Sequence, residues 1–123
     1  MQQSGDVEAA VPCFRESLEL ARAAGLRHVE LAAWHSLGGA ELELGRTGPA
    51  VEHLLTGLEL AEELGDHQHW AEIAWLLARA YTARQLPRQA RRYLRESLAL
   101  MTALKHPKEG AVRQELARVG GSD

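Results

Sequence analysis

The chain has 123 residues and a formal net charge of −3, and 46% of the residues are hydrophobic. This length fits one small domain, and no apolar run or N-terminal leader predicts a membrane span or a signal peptide. One cysteine, Cys13, excludes an internal disulfide and favours a cytoplasmic location.

Charge is divided unevenly along the chain. Residues 1–66 contain 12 acidic and 4 basic side chains, whereas residues 67–123 contain 5 acidic and 10 basic ones. Such asymmetry affects association with partners rather than the fold.

Apolar residues at helical spacing predict two helices in the first third of the chain. The first covers residues 6–24 and stops at a left-handed Gly25. Pro12 lies well inside it and predicts a kink or a frayed start, because proline removes a backbone hydrogen bond. The second helix covers residues 28–44, and Gly38 in it permits close approach of a neighbour.

The later predicted helices begin at proline or at polar capping residues. Thr47 is the predicted N-cap of the third helix, Pro87 opens the fifth and Pro107 opens the sixth. The predicted ranges are 47–64, 67–84, 87–104 and 107–119. We expect residues 120–123 to be a disordered tail.

The apolar pattern repeats every 40 residues. The sequence Arg-Glu-Ser-Leu occurs at residues 15–18 and again at residues 95–98. A fixed period of this kind is the signature of a helical repeat array, so we expect six helices and no strand. The residues predicted to be buried at equivalent positions are Ala10, Leu54, Leu58, Leu77, Leu94 and Leu98.

One complete copy of the repeat carries a motif that resembles the tetratricopeptide repeat family. The matching residues are Trp34, Leu37, Gly38, Gly45, Ala50 and Leu54, and again Leu77, Ala78, Tyr81, Ala90 and Leu94. Glu41 stands where the family usually has tyrosine, and Gln85 replaces the second glycine. The 40-residue unit is similar to arrays in bacterial regulators and signalling scaffolds. The resemblance implies an all-α fold of antiparallel helix pairs stacked into a right-handed solenoid.

The predicted array covers residues 1–119 and begins and ends with half-repeats. Its units are a half-repeat at 5–25, repeats at 28–65 and 67–105, and a half-repeat or cap helix at 107–119. We expect that the chain is a fragment of a longer array or that partner chains cover its ends, because terminal repeats normally need a polar cap.

The resemblance implies a concave groove that binds a protein or peptide and is lined by the first helix of each pair. Trp75 is the predicted anchor, because it lies one position off the repeat of Trp34 and an exposed tryptophan near an arginine is typical of a binding hot spot. Packing of Trp75 between helices is the alternative. The implied groove residues are His35, Leu42, Glu43, Trp75, Arg79, Thr82, Gln114 and Arg118.

The leading functional hypothesis is therefore a binding scaffold, as a regulatory or sensor module with a partner of unknown identity. The alternative is binding of nucleic acid or an acidic ligand through the basic C-terminal half. It is less favoured, because only Tyr93 lies among the arginines of the fifth helix. No catalytic arrangement, cofactor motif or convincing metal-ligand spacing is present, so we predict no enzyme activity, cofactor or metal.

The first helix also predicts self-association. With no helix predicted before it, Phe14 and Leu18 are expected to be partly uncovered, and exposed apolar stripes tend to mark interfaces. A homodimer through this helix is favoured over a head-to-tail contact between the acidic and basic halves.

Overall fold

The structure is a computed structural model that describes residues 3–120. This part of the chain contains helices and turns and no strand, as the sequence predicts. The helices are α1 (Gln3–Ala24), α2 (Arg27–Glu43), α3 (Thr47–Leu64), α4 (His67–Ala83), α5 (Pro87–Leu104) and α6 (Glu109–Gly120). Each helix packs against the next, and α2 also contacts α4. Within residues 3–120, no helix has both the length and the apolar character needed to cross a membrane.

Left-handed residues end the helices, and they keep the turns short. Gly65 caps α3 with φ 67°, as glycine at such a stop should. Gln85, which occupies the position of the missing glycine, adopts the same conformation with φ 61°. The turn after α4 therefore has the shape of the other turns despite the different residue.

Some predicted helix ends are wrong by one to three residues. The first helix begins at Gln3 and includes Pro12, so no frayed start precedes the proline. Arg46 rather than Thr47 is the N-cap of α3, because the Arg46 carbonyl accepts from the Ala50 N–H at 3.1 Å. Gly120 ends α6, so it does not belong to a tail, and residues 121–123 lie outside the described part.

The sixth helix also starts later than predicted, at Glu109 instead of Pro107. The preceding turn holds its own hydrogen bonds. The backbone N–H of Lys108 donates to His106 Nδ1 at 3.0 Å, and the N–H of Glu109 donates to the His106 carbonyl at 3.1 Å. These bonds take up the backbone donors before the helix begins.

Burial confirms most of the predicted core. Leu54, Leu58, Leu77 and Leu94 are buried. The prediction is wrong for Ala10 and Leu98, which are only half-buried. No described helix covers the part of α1 that carries Ala10. On α5, Leu98 lies at the position that faces the following helix, and α6 has 12 residues where α4 has 17.

The close approach predicted at Gly38 is present between α2 and α3. A Cβ atom built on Gly38 would lie 2.5 Å from Leu54 Cδ2, which is far inside contact distance. The absence of a side chain at Gly38 therefore lets Leu54 lie directly against the backbone of α2.

Candidate functional site

A cavity of about 620 Å³ lies where α1, α2 and α4 meet, and we call it the α1 cavity. It brings together four residues predicted to line the groove, namely His35, Leu42, Glu43 and Arg79. Residues of α1 complete the wall, and the sequence did not indicate them. The α1 residues are Asp6, Val7, Ala10 and Phe14.

A second cavity of about 370 Å³ adjoins the first, and we call it the Trp75 cavity. It is lined by His35, Glu72, Trp75, Leu76, Arg79 and Lys108. Three of these residues, His35, Leu76 and Arg79, also line the α1 cavity. The two cavities therefore share a wall of α2 and α4 residues, and we refer to them together as the groove.

Trp75 is fixed in place by polar contacts with α6 and with its own helix. Its indole Nε1–H donates to Glu115 Oε1 at 2.8 Å. The guanidinium carbon of Arg79 lies 4.7 Å from the ring centroid, and Lys108 Nζ lies 6.0 Å from it. Arg79 Nε is also 3.6 Å from Glu115 Oε1. The Trp75 side chain is half-buried. It packs between α4 and α6, and it also lines the Trp75 cavity.

Two histidines lie next to the Glu72 carboxylate, and a third, His69, contacts one of them. His106 Nε2 donates to Glu72 Oε2 at 2.8 Å, because His106 Nδ1 already accepts from the Lys108 N–H. His35 Nδ1 is 4.0 Å from Glu72 Oε1, and its ring meets that of His69 edge to face at 5.5 Å. These contacts connect α2, α4 and the turn before α6.

Burial lowers the pKa of His35, because it disfavours the charged imidazolium. The Glu72 carboxylate opposes this shift, and His69 adds to it. For Asp66, desolvation acts to raise the pKa, but hydrogen bonds from the His69 backbone N–H and ring outweigh it, so the pKa is lowered. His35 is therefore biased towards the neutral form at the centre of the groove.

The other three predicted groove residues lie apart from this groove. Thr82 and Arg118 line a separate cavity of about 470 Å³ between the ends of α4 and α6. The Thr82 hydroxyl donates to the Ala78 carbonyl at 2.9 Å and so bonds within its own helix. Gln114 is exposed and lines neither cavity of the groove.

The predicted self-association surface needs a correction at Leu18. This side chain is only 7% exposed and lies in the main core, so it is not uncovered. Phe14 is half-buried and lines the α1 cavity. Leu20 is a large exposed apolar side chain of α1, at 63%, and Leu26 and Val29 lie beside it.

Residues 3–120 give little support for a metal site or for nucleic-acid binding. Nowhere in that range do three or more His, Cys, Asp or Glu side chains form a group that could hold a metal ion. The basic face of α5 is partly engaged within the protein, since Arg92 Nε lies 3.5 Å from Glu96 Oε2 and Arg91 and Arg95 also make interactions. These observations do not favour nucleic-acid binding through that face.

Paired helices, left-handed stops and a groove along the first helix of each pair define a helical-repeat protein. The model of the tetratricopeptide repeat family matches residues 1–63 and also residues 31–103. The chain belongs to the tetratricopeptide repeat family. Repeats of this family are generally non-enzymatic scaffolds for protein–protein interaction.

A solved structure shows the same fold. The chain resembles the crystal structure of nearly identical TPR-like repeats from a Podosopora anserina protein, which is named as a kinesin light chain. The TM-score is 0.81 and the sequence identity is 28%, over 96% of this chain and 59% of that one. The chain thus spans about three-fifths of the length of that neighbour. No curated protein matched the sequence.

Proposed function

We propose that this chain is a regulatory or sensor module that binds a protein or peptide partner in the groove formed by the α1 cavity and the Trp75 cavity. The observation that carries the proposal is that the two cavities share the lining residues His35, Leu76 and Arg79. Clefts that are mostly apolar and contain a few convergent polar groups are the usual form of binding sites.

Trp75 is suited to be the anchor of this groove. Its hydrogen bond to Glu115 fixes the ring before a partner arrives, so binding loses little side-chain entropy there. Arg79 and Lys108 lie near the ring and add positive charge. A partner segment with an apolar side chain next to an acidic one would fit this combination, because the ring offers an apolar surface and the two cations attract a carboxylate.

Selection from a random peptide library on the immobilised chain tests the proposal without a known partner. Selected peptides should lose more than about 2 kcal/mol of affinity for the Trp75→Ala variant. This variant should also unfold at a lower temperature, because it leaves the buried Glu115 without the indole N–H. Arg79→Ala provides a second groove variant that keeps the indole ring. Trp70→Ala is the matched control, because Trp70 lines a different cavity with Leu100.

Two outcomes would refute the proposal. Either no peptide is enriched, or the enriched peptides bind the Trp75 and Arg79 variants as tightly as the parent chain.

The predicted cytoplasmic location and the predicted homodimer through α1 stay predictions. Because Leu18 is buried, such a homodimer would have to use Phe14 and Leu20. Sedimentation equilibrium at low and high salt measures whether the chain forms this homodimer.

A further inference from the structure

A cavity of about 360 Å³ lies between the end of α3, the start of α4 and the second half of α5, and we call it the Trp70 cavity. It shares no lining residue with the groove. Its apolar lining residues are Ala61, Trp70, Ala99 and Leu100. The volume falls within the range of about 300–1,000 Å³ that is usual for ligand-binding clefts.

Each wall of the Trp70 cavity contributes a carboxylate. Glu62 lies on α3, Asp66 is the N-cap of α4, and Glu96 lies on α5. The remaining lining residues are Gly65 and His67, so no lysine or arginine of residues 3–120 lines the cavity. The cavity therefore combines an indole ring with negative charge, which is the combination that attracts organic cations.

The three carboxylates differ in how far the chain itself balances their charge. Asp66 Oδ2 lies 2.9 Å from His69 Nδ1, and Asp66 Oδ1 accepts from the His69 backbone N–H. Glu96 Oε2 lies 3.5 Å from Nε of the exposed Arg92. The Glu62 carboxylate is exposed and pairs with no side chain in the part of the chain that the structure describes. The negative charge of the cavity is therefore only partly balanced.

The equivalent junction one repeat earlier contains a cation of the chain itself. Arg27 is the first residue of α2, and its Nη2 lies 2.6 Å from Glu63 Oε1 on α3. Its Nε lies 4.0 Å from Glu30 Oε1 on α2. A guanidinium group therefore joins two carboxylates where these helices meet.

The junction that contains Trp70 lacks this internal cation. The three residues of the earlier ion-pair cluster are replaced 40 residues later by His67, Trp70 and Ala103. The carboxylates of the Trp70 cavity stand where the earlier junction has Arg22, Leu26 and Thr56. This junction has therefore lost its own guanidinium and gained carboxylates, so a cation from outside the chain would complement it.

We propose that the Trp70 cavity binds an arginine side chain of a partner protein. The guanidinium stacks on the indole ring of Trp70 and pairs with the Glu62 carboxylate, because arginine is weakly hydrated and planar. The aliphatic part of the arginine packs against Leu100, as long charged side chains do on apolar surface. A protein is the source of this arginine, because repeats of this family are generally scaffolds for protein–protein interaction.

The walls of the Trp70 cavity lie in the interior of the array. The helices α3, α4 and α5 have α2 before them and α6 after them, and each unit of a repeat array contacts only its neighbours. A helix added before α1 or after α6 would stack on those helices and leave this cavity open. Further repeats of the same chain therefore do not supply its occupant.

Titration of the intact chain with a capped arginine, N-acetyl-arginine amide, tests the proposal by NMR. The three tryptophans give three indole N–H signals, and Trp70→Phe identifies the signal of Trp70. We expect this signal to shift saturably. The signals of Trp34 and Trp75 should stay in place, because their indole N–H groups donate to Glu30 and Glu115. Capped citrulline has the same shape without the charge, so it should bind about threefold more weakly or less tightly still.

Two variants separate the contributions of charge and ring. Glu62→Gln should weaken binding of the capped arginine about two- to fivefold, because it removes the carboxylate that has no partner. Glu52→Gln is the matched control, since Glu52 is an exposed glutamate of α3 outside the cavity. Trp70→Leu removes the stacking surface and should weaken binding further, with the backbone N–H signal of Gly65 as the readout.

Several results would overturn the assignment. They are a folded chain whose Trp70 signal does not shift saturably, equal affinities for capped arginine and capped citrulline, and equal affinities of the Glu62→Gln and Glu52→Gln variants. Tighter binding of free arginine than of capped arginine would identify the amino acid, rather than a protein side chain, as the ligand. Self-association in sedimentation experiments that Trp70→Leu abolishes would place an arginine of a second copy in the cavity.

The proposal is independent of the groove. Trp75→Ala should leave binding of the capped arginine unchanged, because Trp75 does not line the Trp70 cavity. Loss of partner binding in the groove would therefore leave this assignment intact, and failure of arginine to bind would leave the proposed function intact.

Discussion

His53 Nδ1 on α3 lies 2.6 Å from Glu41 Oε1 on α2. The Glu41 side chain is 1% exposed, and its second oxygen is 3.6 Å from a guanidinium nitrogen of Arg15 on α1. The His53 ring also packs against Trp34 at a centroid distance of 5.5 Å. One buried carboxylate therefore connects three consecutive helices at the position where the family usually has tyrosine.

The first prediction concerns this carboxylate. Glu41→Gln removes the negative charge and leaves the hydrogen bond to His53 poorly matched, so it should lower the free energy of unfolding by about 1–3 kcal/mol. Glu41→Ala should cost more than Glu41→Gln, because it also removes the buried side chain that connects α2 with α1 and α3. Urea denaturation measures both.

Glu43→Gln is the control for this prediction. It makes the same chemical change two residues later, where the side chain is exposed. We expect a change within about 0.5 kcal/mol, as for most surface substitutions. Equal effects of Glu41→Gln and Glu43→Gln would show that the buried pair does not stabilise the fold.

The second prediction uses two adjacent glycines of α2. Gly38→Ala forces a Cβ atom against Leu54 and should cost about 1–3 kcal/mol through overpacking. Gly39→Ala meets Leu76 Cδ1 at an ordinary 3.6 Å and should stabilise the helix by about 0.5–1 kcal/mol. Thermal unfolding of both variants should therefore shift in opposite directions. A shift of the same sign in both would contradict the packing at Gly38.

The third prediction tests the core itself. Leu58 is buried, so Leu58→Ala should lower the free energy of unfolding by about 2–5 kcal/mol. Leu55 is exposed on the same helix, and Leu55→Ala serves as its control. A loss below about 0.5 kcal/mol for Leu58→Ala would place the buried face of α3 elsewhere.

The helices and most of the core could be predicted from sequence, because the 40-residue period shows equivalent positions three times. The period gave a wrong prediction of burial where the neighbouring helices differ between repeats. Ala10 has the same sequence environment as Ala50, but the helix that covers Ala50 has no described equivalent over α1. Repetition in sequence indicates which face packs and cannot show whether the packing partner is present.

Some contacts in and near the groove could not be predicted from the sequence, for a different reason. Lys108 lies in the turn in which the period shortens, and Glu115 follows that turn, so the alignment of both with earlier repeats was shifted. The pairing of Glu41 with His53 also has no local signal, since the residues are 12 apart on two helices. Only the packing of α2 on α3 brings them together.

The fourth prediction concerns pH and His35. Its pKa is lowered in the folded chain by burial, while the unfolded value is about 6.5. Between these two values the unfolded chain binds more protons, so the stability that His35 contributes is complete above about pH 6.5 and falls as the pH decreases towards the folded pKa. The charged or titratable groups around it are Glu72, His69 and Arg79 on α4, with His106 and Lys108 in the turn before α6.

The measurement is the free energy of unfolding, from urea titrations at a series of pH values between about 5 and 8. His35→Gln should flatten the rise in stability with pH below about 6.5, because glutamine binds no proton there. His67→Gln is the control, since His67 is an exposed histidine on α4 and its loss should keep the slope. If His35→Gln has the same slope as the parent chain, a group other than His35 determines the pH dependence in this range.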